Sequence, residues 1–416
     1  MSRRSLLKQP SFAALWWGQV FSMTGDRFTY LALAGLFYQH SQRDPATSYA
    51  ALLAVFANVV VAPVLLFAPF TGAWVDRLNL KHVLITCDAL RSLLVLSMPL
   101  SFALTHSIDL IFLTVFLLFA VNVIFLPAKS AMIPEIVGAD QLLAANSLLA
   151  GGGIAATAIG ALAGGYVIDR FGWAVAMRLD ALSYVISAGA LGFVAYRAGA
   201  HHTKLAAVTV RSYVSEVTAG WGLVRRSRAV GVGLISLAAV WFAGGVLHVA
   251  GNQHIQTAAS VPGMERLGAL VFAIGVGSGL GAWWINTYGK RQPRARVLGA
   301  GLMLAGCTLV LFALSSLFAV FVAAAVLLGV FAAPALVLTE TVLQEDTALE
   351  HRARVFSARD FLMRLTLLAS VTLTAWLVSI TDTRTTIGAS AVLLLAIGAV
   401  VIGLGRGVRR VRVNAG

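Results

Sequence analysis

Four stretches of this chain contain no Asp, Glu, Lys or Arg: residues 45–75, 141–168, 229–264 and 297–339, the last 43 residues long. A helix that crosses the hydrocarbon core needs about 20 apolar residues, because all its backbone polar groups must be satisfied away from water. The longest stretch therefore holds two such helices, and Ser315-Ser316 marks the break between them. The rest of the composition agrees. Hydrophobic residues make up 59% of the chain and charged residues 12%, whereas soluble domains average about 25% charged. A soluble enzyme and a disordered chain are both excluded. The expected class is an all-α integral membrane protein.

Hydropathy and charge divide the chain into twelve spans, at about 12–38, 49–75, 82–105, 108–131, 141–168, 173–196, 229–257, 265–288, 296–315, 317–340, 355–380 and 384–405. Placing the N-terminus in the cytoplasm puts 23 Lys and Arg in cytoplasmic segments. Four fall in outer loops: Arg43, Arg170, Arg266 and Arg384. Basic residues concentrate on the cytoplasmic side of membranes, so both termini are expected inside. The net charge of +14 is explained the same way. No basic soluble domain exists to bind nucleic acid. Arg3, Arg4 and Lys8 precede an apolar stretch as in a signal peptide, but no small-residue cleavage site ends it, so a retained first helix is expected. The connection at 197–228 is long and basic. It divides the chain into a bundle of six helices at 1–196, a cytoplasmic linker, and a second bundle at 229–416. His201-His202 in the linker have no third ligand near them in sequence, so no metal site is expected. Cys87 and Cys307 both sit in apolar stretches and read as packed or lipid-facing thiols.

Local motifs narrow the class. Span 2 ends in Gly72-Ala-Trp-Val-Asp76-Arg77-Leu-Asn79-Leu-Lys81. Gly72 permits close helix approach. Asp76 can face a helix N-terminus, where an anion is favoured. Arg77 and Lys81 can pair with carboxylates or carbonyls on neighbouring helices, so Gly72, Asp76, Arg77 and Lys81 read as a latch, or gate, that holds the cytoplasmic side shut. This constellation resembles the loop 2–3 signature of the major facilitator superfamily, with Asn79 in place of the second glycine and Leu80 in place of the next basic residue. Other segments are similar to an exporter branch that includes enterobactin exporters and macrolide-efflux proteins: Gly18-Gln19 through Gly25-Asp26-Arg27, Leu126-Pro127-Ala128, Leu179-Asp180-Ala181-Leu182-Ser183-Tyr184, and Leu343-Gln344-Glu345. The resemblance runs from about residue 10 to about 400. It implies twelve transmembrane helices in two pseudo-symmetric six-helix bundles, alternating access, a monomer, and a bacterial plasma membrane. Span 5 contains Gly160-Ala161-Leu162-Ala163-Gly164-Gly165, which resembles the end of the family's antiporter signature with Ala161 at its proline. Gly160, Gly164 and Gly165 read as helix-packing residues. A second Gly-x-x-x-Asp-Arg, from Gly165 to Arg170, is either an inverted echo of the first motif forming an outer latch or chance.

A charge inside a span costs at least about 2.5–3.5 kcal/mol on insertion scales. Asp26, near the middle of span 1, is therefore the leading candidate for proton coupling. Arg27 points about 100° away from it on a helix. Arg27, Asn58, Asn122, Trp241, His248 and Asn252 are candidates for a substrate cavity. Asp88 and Arg91, three apart on span 3, read as part of the loop 2–3 latch. Glu340, Asp360 and Arg364 read as the latch of the second half, and Arg178 and Asp180 as structural. The chain lacks a Walker A sequence, paired Asp-rich segments and His-Glu-x-x-His. No catalytic residue, metal or cofactor is expected. The sequence thus predicts proton-coupled efflux of a small amphipathic or hydrophobic compound. The alternatives are a lipid or lysophospholipid mover on the same fold and a non-transporting receptor.

Overall fold

The computed structural model describes residues 6–44, 46–75, 78–138, 141–196, 210–224, 227–258, 263–289, 292–348 and 351–405. The described residues contain helices and no strand. In chain order these are α1 (Pro10–Arg43), α2 (Tyr49–Val75), α3 (Leu80–Thr105), α4 (Ile108–Ile136), α5 (Leu142–Phe171), α6 (Trp173–Gly192), α7 (Val210–Val224), α8 (Arg228–Val246), α9 (Asn252–Ala258), α10 (Met264–Thr287), α11 (Arg294–Leu314), α12 (Phe318–Glu345), α13 (Arg352–Ile380) and α14 (Thr383–Gly405). Helices α8 and α9 form one span joined by a π-helical turn, Leu247–Gly251. Eleven spans among the described residues are long and apolar enough to cross a membrane. The twelfth long helix is α1, 34 residues interrupted by Gln19, Asp26 and Arg27. The protein is an all-α membrane protein with twelve spans in two six-helix bundles.

Short polar caps set the ends. Pro10 opens α1 where its missing N–H costs nothing. The side chains of Asn79, Ser107 and Ser227 accept the first amides of α3, α4 and α8. The departure at Asn79 from the loop signature thus has a local cause: asparagine caps α3. Between α1 and α2, Asp44 accepts from the Thr47 hydroxyl at 2.6 Å and the Ala46 amide at 3.1 Å. Those two bonds hold its carboxyl below the usual carboxylate range. A single residue, Gly172, separates α5 from α6. Its φ of +86° is one that side-chain-bearing residues rarely adopt.

Several boundaries differ from the sequence expectation. Helix α4 runs through Pro127 and Pro134 to Ile136, beyond the predicted end at 131. Proline is tolerated in spans whose neighbours satisfy the freed carbonyls. Lys129, counted from sequence among the 23 cytoplasmic cations, lies within α4 rather than at its end. The linker also contains a helix, α7, at 210–224. Its Val217, Gly220, Trp221 and Val224 recur at helical spacing. Gly220 lies directly against the Arg354 backbone carbonyl of α13.

The chain separates into two compact units: Met1–Tyr213 with Pro262–Phe272, and Val214–Val261 with Ala273–Gly416. In the first, α1 packs most extensively against α6 and α5, α6 against α3, α3 against α4, and α4 against α2. The start of α10 belongs to this unit. There Asp169, at the end of α5, accepts hydrogen bonds from the Met264 and Glu265 amides at 2.9 and 2.8 Å. A carboxylate at a helix N-terminus is favoured by the exposed amides and the helix dipole. In the second unit, α11 and α14 make the most extensive pair, and α8 is packed by α12, α13 and α14.

Candidate functional site

The first unit encloses a cavity of about 120 Å3. Its lining includes Asp26, Arg27, Thr29 and Tyr30 of α1, Phe56 of α2, Arg91 of α3, Asn122 of α4, and Asp180 and Tyr184 of α6. The sequence brings them together by simple periodicity. Gly18, Ser22, Gly25 and Thr29 are spaced for one face of α1, and Gly18 and Gly25 lie against α6. A Cβ at Gly18 would sit 3.2 Å from the Ser187 hydroxyl, and one at Gly25 would overlap Ser183 and Asp180. The glycines let the helices approach closely enough for side chains to bond across the contact.

Two reciprocal hydrogen bonds do so. The Tyr184 hydroxyl of α6 donates to Asp26 of α1, and the Thr29 hydroxyl of α1 donates to Asp180 of α6. Each helix offers one carboxyl and one hydroxyl. Asp26 is half-buried, whereas Asp180 is fully buried. Arg91 and Asp88 form an ion pair at 2.8 Å and are 3% and 0% exposed. The Arg91 guanidinium lies 3.8 Å from the Phe125 ring centroid and 5.0 Å from that of Tyr184. Lys129 donates to Gln19 at 2.9 Å. Arg27 lies 5.8 Å from the Tyr30 ring centroid and makes no ion pair with a described residue. This is a desolvated cluster of carboxyls and cations opening on one small cavity. Such a cluster can bind or release a proton, or orient a polar group, with little competition from water.

Of the sequence candidates, Asp26, Arg27 and Asn122 share this cavity. Asp88 and Arg91, grouped from sequence with the loop after span 2, belong to the same buried cluster. They turn toward α4 and α6, where aromatic faces and Tyr184 cover the guanidinium. Asn58 on α2 lies outside the lining. In the second unit, Trp241 is on an exposed face of α8, His248 lies in the π turn, and Asn252 is buried at the start of α9. The surroundings of Gly72, and residues Asp76 and Arg77, lie outside what the structure describes. Lys81 donates to the Gly192 and Val194 carbonyls at 2.7 and 2.8 Å, at the C-terminal end of α6. Glu340 and Asp360 are joined by Arg359, which pairs with both, while Arg364 pairs with no described acid. Gly160 and Gly164 lie against Thr24 and Phe28 of α1, and Gly165 against the Met264 backbone. Among the described residues, no three His, Cys, Asp or Glu side chains group as a metal site requires.

The sequence reading missed Asp180, Tyr184, Thr29, Lys129 and Gln19 as members of the cluster. A usable signal existed: Asp180, Tyr184 and Ser187 recur at i, i+4 and i+7 on an otherwise apolar helix, which puts them on one face.

Comparison with known proteins follows the same lines. The family model of the Major Facilitator Superfamily matches residues 15–295. A Bacillus subtilis (strain 168) protein named "Putative bacilysin exporter BacE" is 25% identical over 359 residues, covering 85% of this chain and 84% of its own. Its Bacillus amyloliquefaciens counterpart is 24% identical over 358 residues, 85% of each chain. Among solved structures, a peptide transporter, POT, in complex with sulfate has a TM-score of 0.69 at 15% identity, covering 98% of this chain and 99% of that one. A bacterial homolog of the human lysosomal transporter Spinster has a TM-score of 0.68 at 13% identity, covering 97% of each. These structures share the fold. With the family model matched over more than half its length, the chain belongs to the major facilitator superfamily and is a multi-pass membrane transporter, not an enzyme.

Proposed function

We propose that this transporter is a proton-coupled exporter of small amphipathic or hydrophobic compounds, working as a monomer by alternating access in a bacterial plasma membrane with both termini inside. The observation that carries the reading is Asp26: a carboxyl in the middle of a membrane-length helix, facing a cavity, with a hydroxyl partner and no ion pair to a described residue. Such a group changes charge when its surroundings change from wet to dry. In one state Asp26 takes a proton from the outside; in the other it gives the proton to the inside. Cargo moves in the opposite direction. The two bundles, 1–196 and 229–416, are the units that move in alternating access, and 197–228 links them. The charged residues at the loop after α2, and Glu340, Asp360 and Arg364, serve as gates that break in each cycle. The relatives' name supports the export direction.

A second cargo class, lysophospholipids or other lipids, is favoured by a different feature. The second unit has an apolar cleft of about 430 Å3, lined by Trp221, Ile235, Phe242, Leu362 and Ile397 among others.

Purified protein in liposomes under a pH gradient tests both readings. Bacilysin, amphipathic drugs and lysophospholipid are added separately. The expected result is collapse of the gradient triggered by one soluble compound. The Asp26→Asn variant should still bind that compound, but its proton flux should fall to the level of protein-free vesicles. Unchanged flux in the variant removes Asp26 from coupling. Lysolipid movement without proton movement replaces the drug reading with the lipid one.

A further inference from the structure

The contact between α1 and α6 carries two carboxyls, and the transport reading uses one of them. The other, Asp180, is fully buried and faces the same cavity as Asp26. Its oxygens accept from Thr29 and from Ser183 at 3.2 Å. It makes no ion pair with a described residue. The charged groups around it are few. Helix α1 contributes Asp26 and Arg27. Helix α3 contributes Arg91, already committed to Asp88. Helix α4 contributes Lys129, bonded to Gln19, and Tyr184 lies on α6 itself. The ionisable side chains of α5, Tyr166, Asp169 and Arg170, are confined to its C-terminal end.

A buried carboxylate without a committed cation is costly and takes up a proton instead. Two carboxyls on one desolvated cavity resist ionising together. The hydrogen bonds separate their roles. A phenol donating to Asp26 suits an ionised acceptor. The Thr29 hydroxyl can donate or accept, so its contact with Asp180 also serves a protonated acid.

We propose that Asp26 and Asp180 form one proton-binding pair, which holds a single proton on Asp180 at rest, and that the exchanged proton is a second one entering through Asp26. The proposal rests on the reading of Asp26 as the exchanging carboxyl. On this account both protons belong to the pair, so its titration is not the property of either residue alone. Full loading leaves both carboxyls neutral and removes the charge that the Tyr184 hydroxyl faces. The α1–α6 contact is then where proton occupancy is felt.

Infrared spectroscopy of the full chain in lipid bilayers tests this through the protonated-carboxyl band. At neutral pH the wild type and Asp26→Asn should show a band from a buried neutral acid, and Asp180→Asn should lack it. On acidification the wild type should gain a second band that is absent from Asp26→Asn. Asparagine matches the shape of a neutral Asp180, so the variant is expected to fold. If it does not, Thr29→Val removes the hydroxyl partner and should shift the frequency of the same band. A neutral-pH band that persists in Asp180→Asn, or is unmoved in Thr29→Val, overturns the pair whatever the flux assay gives. Loss of the band in Asp180→Asn together with normal proton flux in Asp26→Asn overturns the transport reading, while leaving Asp180 as the resting proton site.

Discussion

The two units solve the problem of polar groups in an apolar setting differently. The first buries ionisable groups: among its described residues Asp88, Arg91 and Asp180 are almost wholly inaccessible. The second buries no Asp, Glu, Lys or Arg among its described residues; its buried polar groups include Ser236, Asn252, His254, Gln256, Thr308, Thr339 and Ser370. Its ion pairs, Arg294–Glu345 and Arg359 with Glu340 and Asp360, stand at helix ends and are partly exposed. Its cleft of about 430 Å3 is lined almost wholly by apolar residues. Charge in the hydrocarbon region is kept where it does something. The contrast is between a first unit with ionisable groups in its interior and a second whose described interior has polar groups without Asp, Glu, Lys or Arg.

The sharpest way to break this contrast is to remove one buried charge from the first unit. Arg91→Leu leaves Asp88 buried without its partner, which should cost about 3–5 kcal/mol. The double variant Asp88→Leu with Arg91→Leu should recover most of that, because no uncompensated charge remains. The counterpart in the second unit is Ser370→Ala, which removes a 2.6 Å hydrogen bond to the Phe242 carbonyl and should cost about 1 kcal/mol. Denaturant unfolding in one detergent compares the three. Equal losses for Arg91→Leu and Ser370→Ala would mean that the Asp88–Arg91 pair is not the stringent element its burial implies.

Packing sharpens the comparison from the other side, because here the units agree. A Cβ at Gly160 would come within 2.5 Å of the Thr24 carbonyl oxygen, and one at Gly277 would overlap the Val326 carbonyl. Backbone cannot move aside as a flexible side chain can. Gly160→Ala and Gly277→Ala should each cost about 1–3 kcal/mol by overpacking. Gly279, two residues from Gly277 on α10, has nothing within 4 Å of a built Cβ. Gly279→Ala should be neutral or slightly stabilising, since alanine is the better helix former. Melting temperatures of the three variants decide whether close helix approach is common to both units.

The class of fold was legible because the cost of exposing backbone to lipid leaves long apolar runs that nothing else explains. Asp26 and Arg27 were legible for the same reason, as charges where charge is expensive. Asp180 was not, since the eighth residue of a helix reads as near an interface; only packing against α1 reveals how deeply it is buried. Lys129 was hidden by its place near the expected end of span 4 at 131, where a cation reads as cytoplasmic, although α4 continues to Ile136. Tyr184 carries no charge to draw attention, and its role comes from a partner 158 residues away. Pairings across helices depend on rotation about each axis, which apolar composition alone does not specify when a span is hydrophobic on every side.

The smallest expected effect separates a cap from a gate. Lys81 was read from sequence as part of a gate, yet its ammonium binds two carbonyls at the end of α6, within the first unit. A cation at a helix C-terminus contributes about 0.3–1 kcal/mol. Lys81→Met keeps the length of the side chain and removes the charge. If Lys81 is a cap, the variant should lose only that much stability, and transport at saturating substrate should be unchanged. As a gate it should do the reverse: the unfolding midpoint stays put while the rate of transport changes severalfold, because the states a gate distinguishes differ in population rather than in foldedness. Measuring both quantities on one preparation tells the two apart. A cap would place the gating charges elsewhere in the loop and leave the buried ions of the first unit as its contribution to transport.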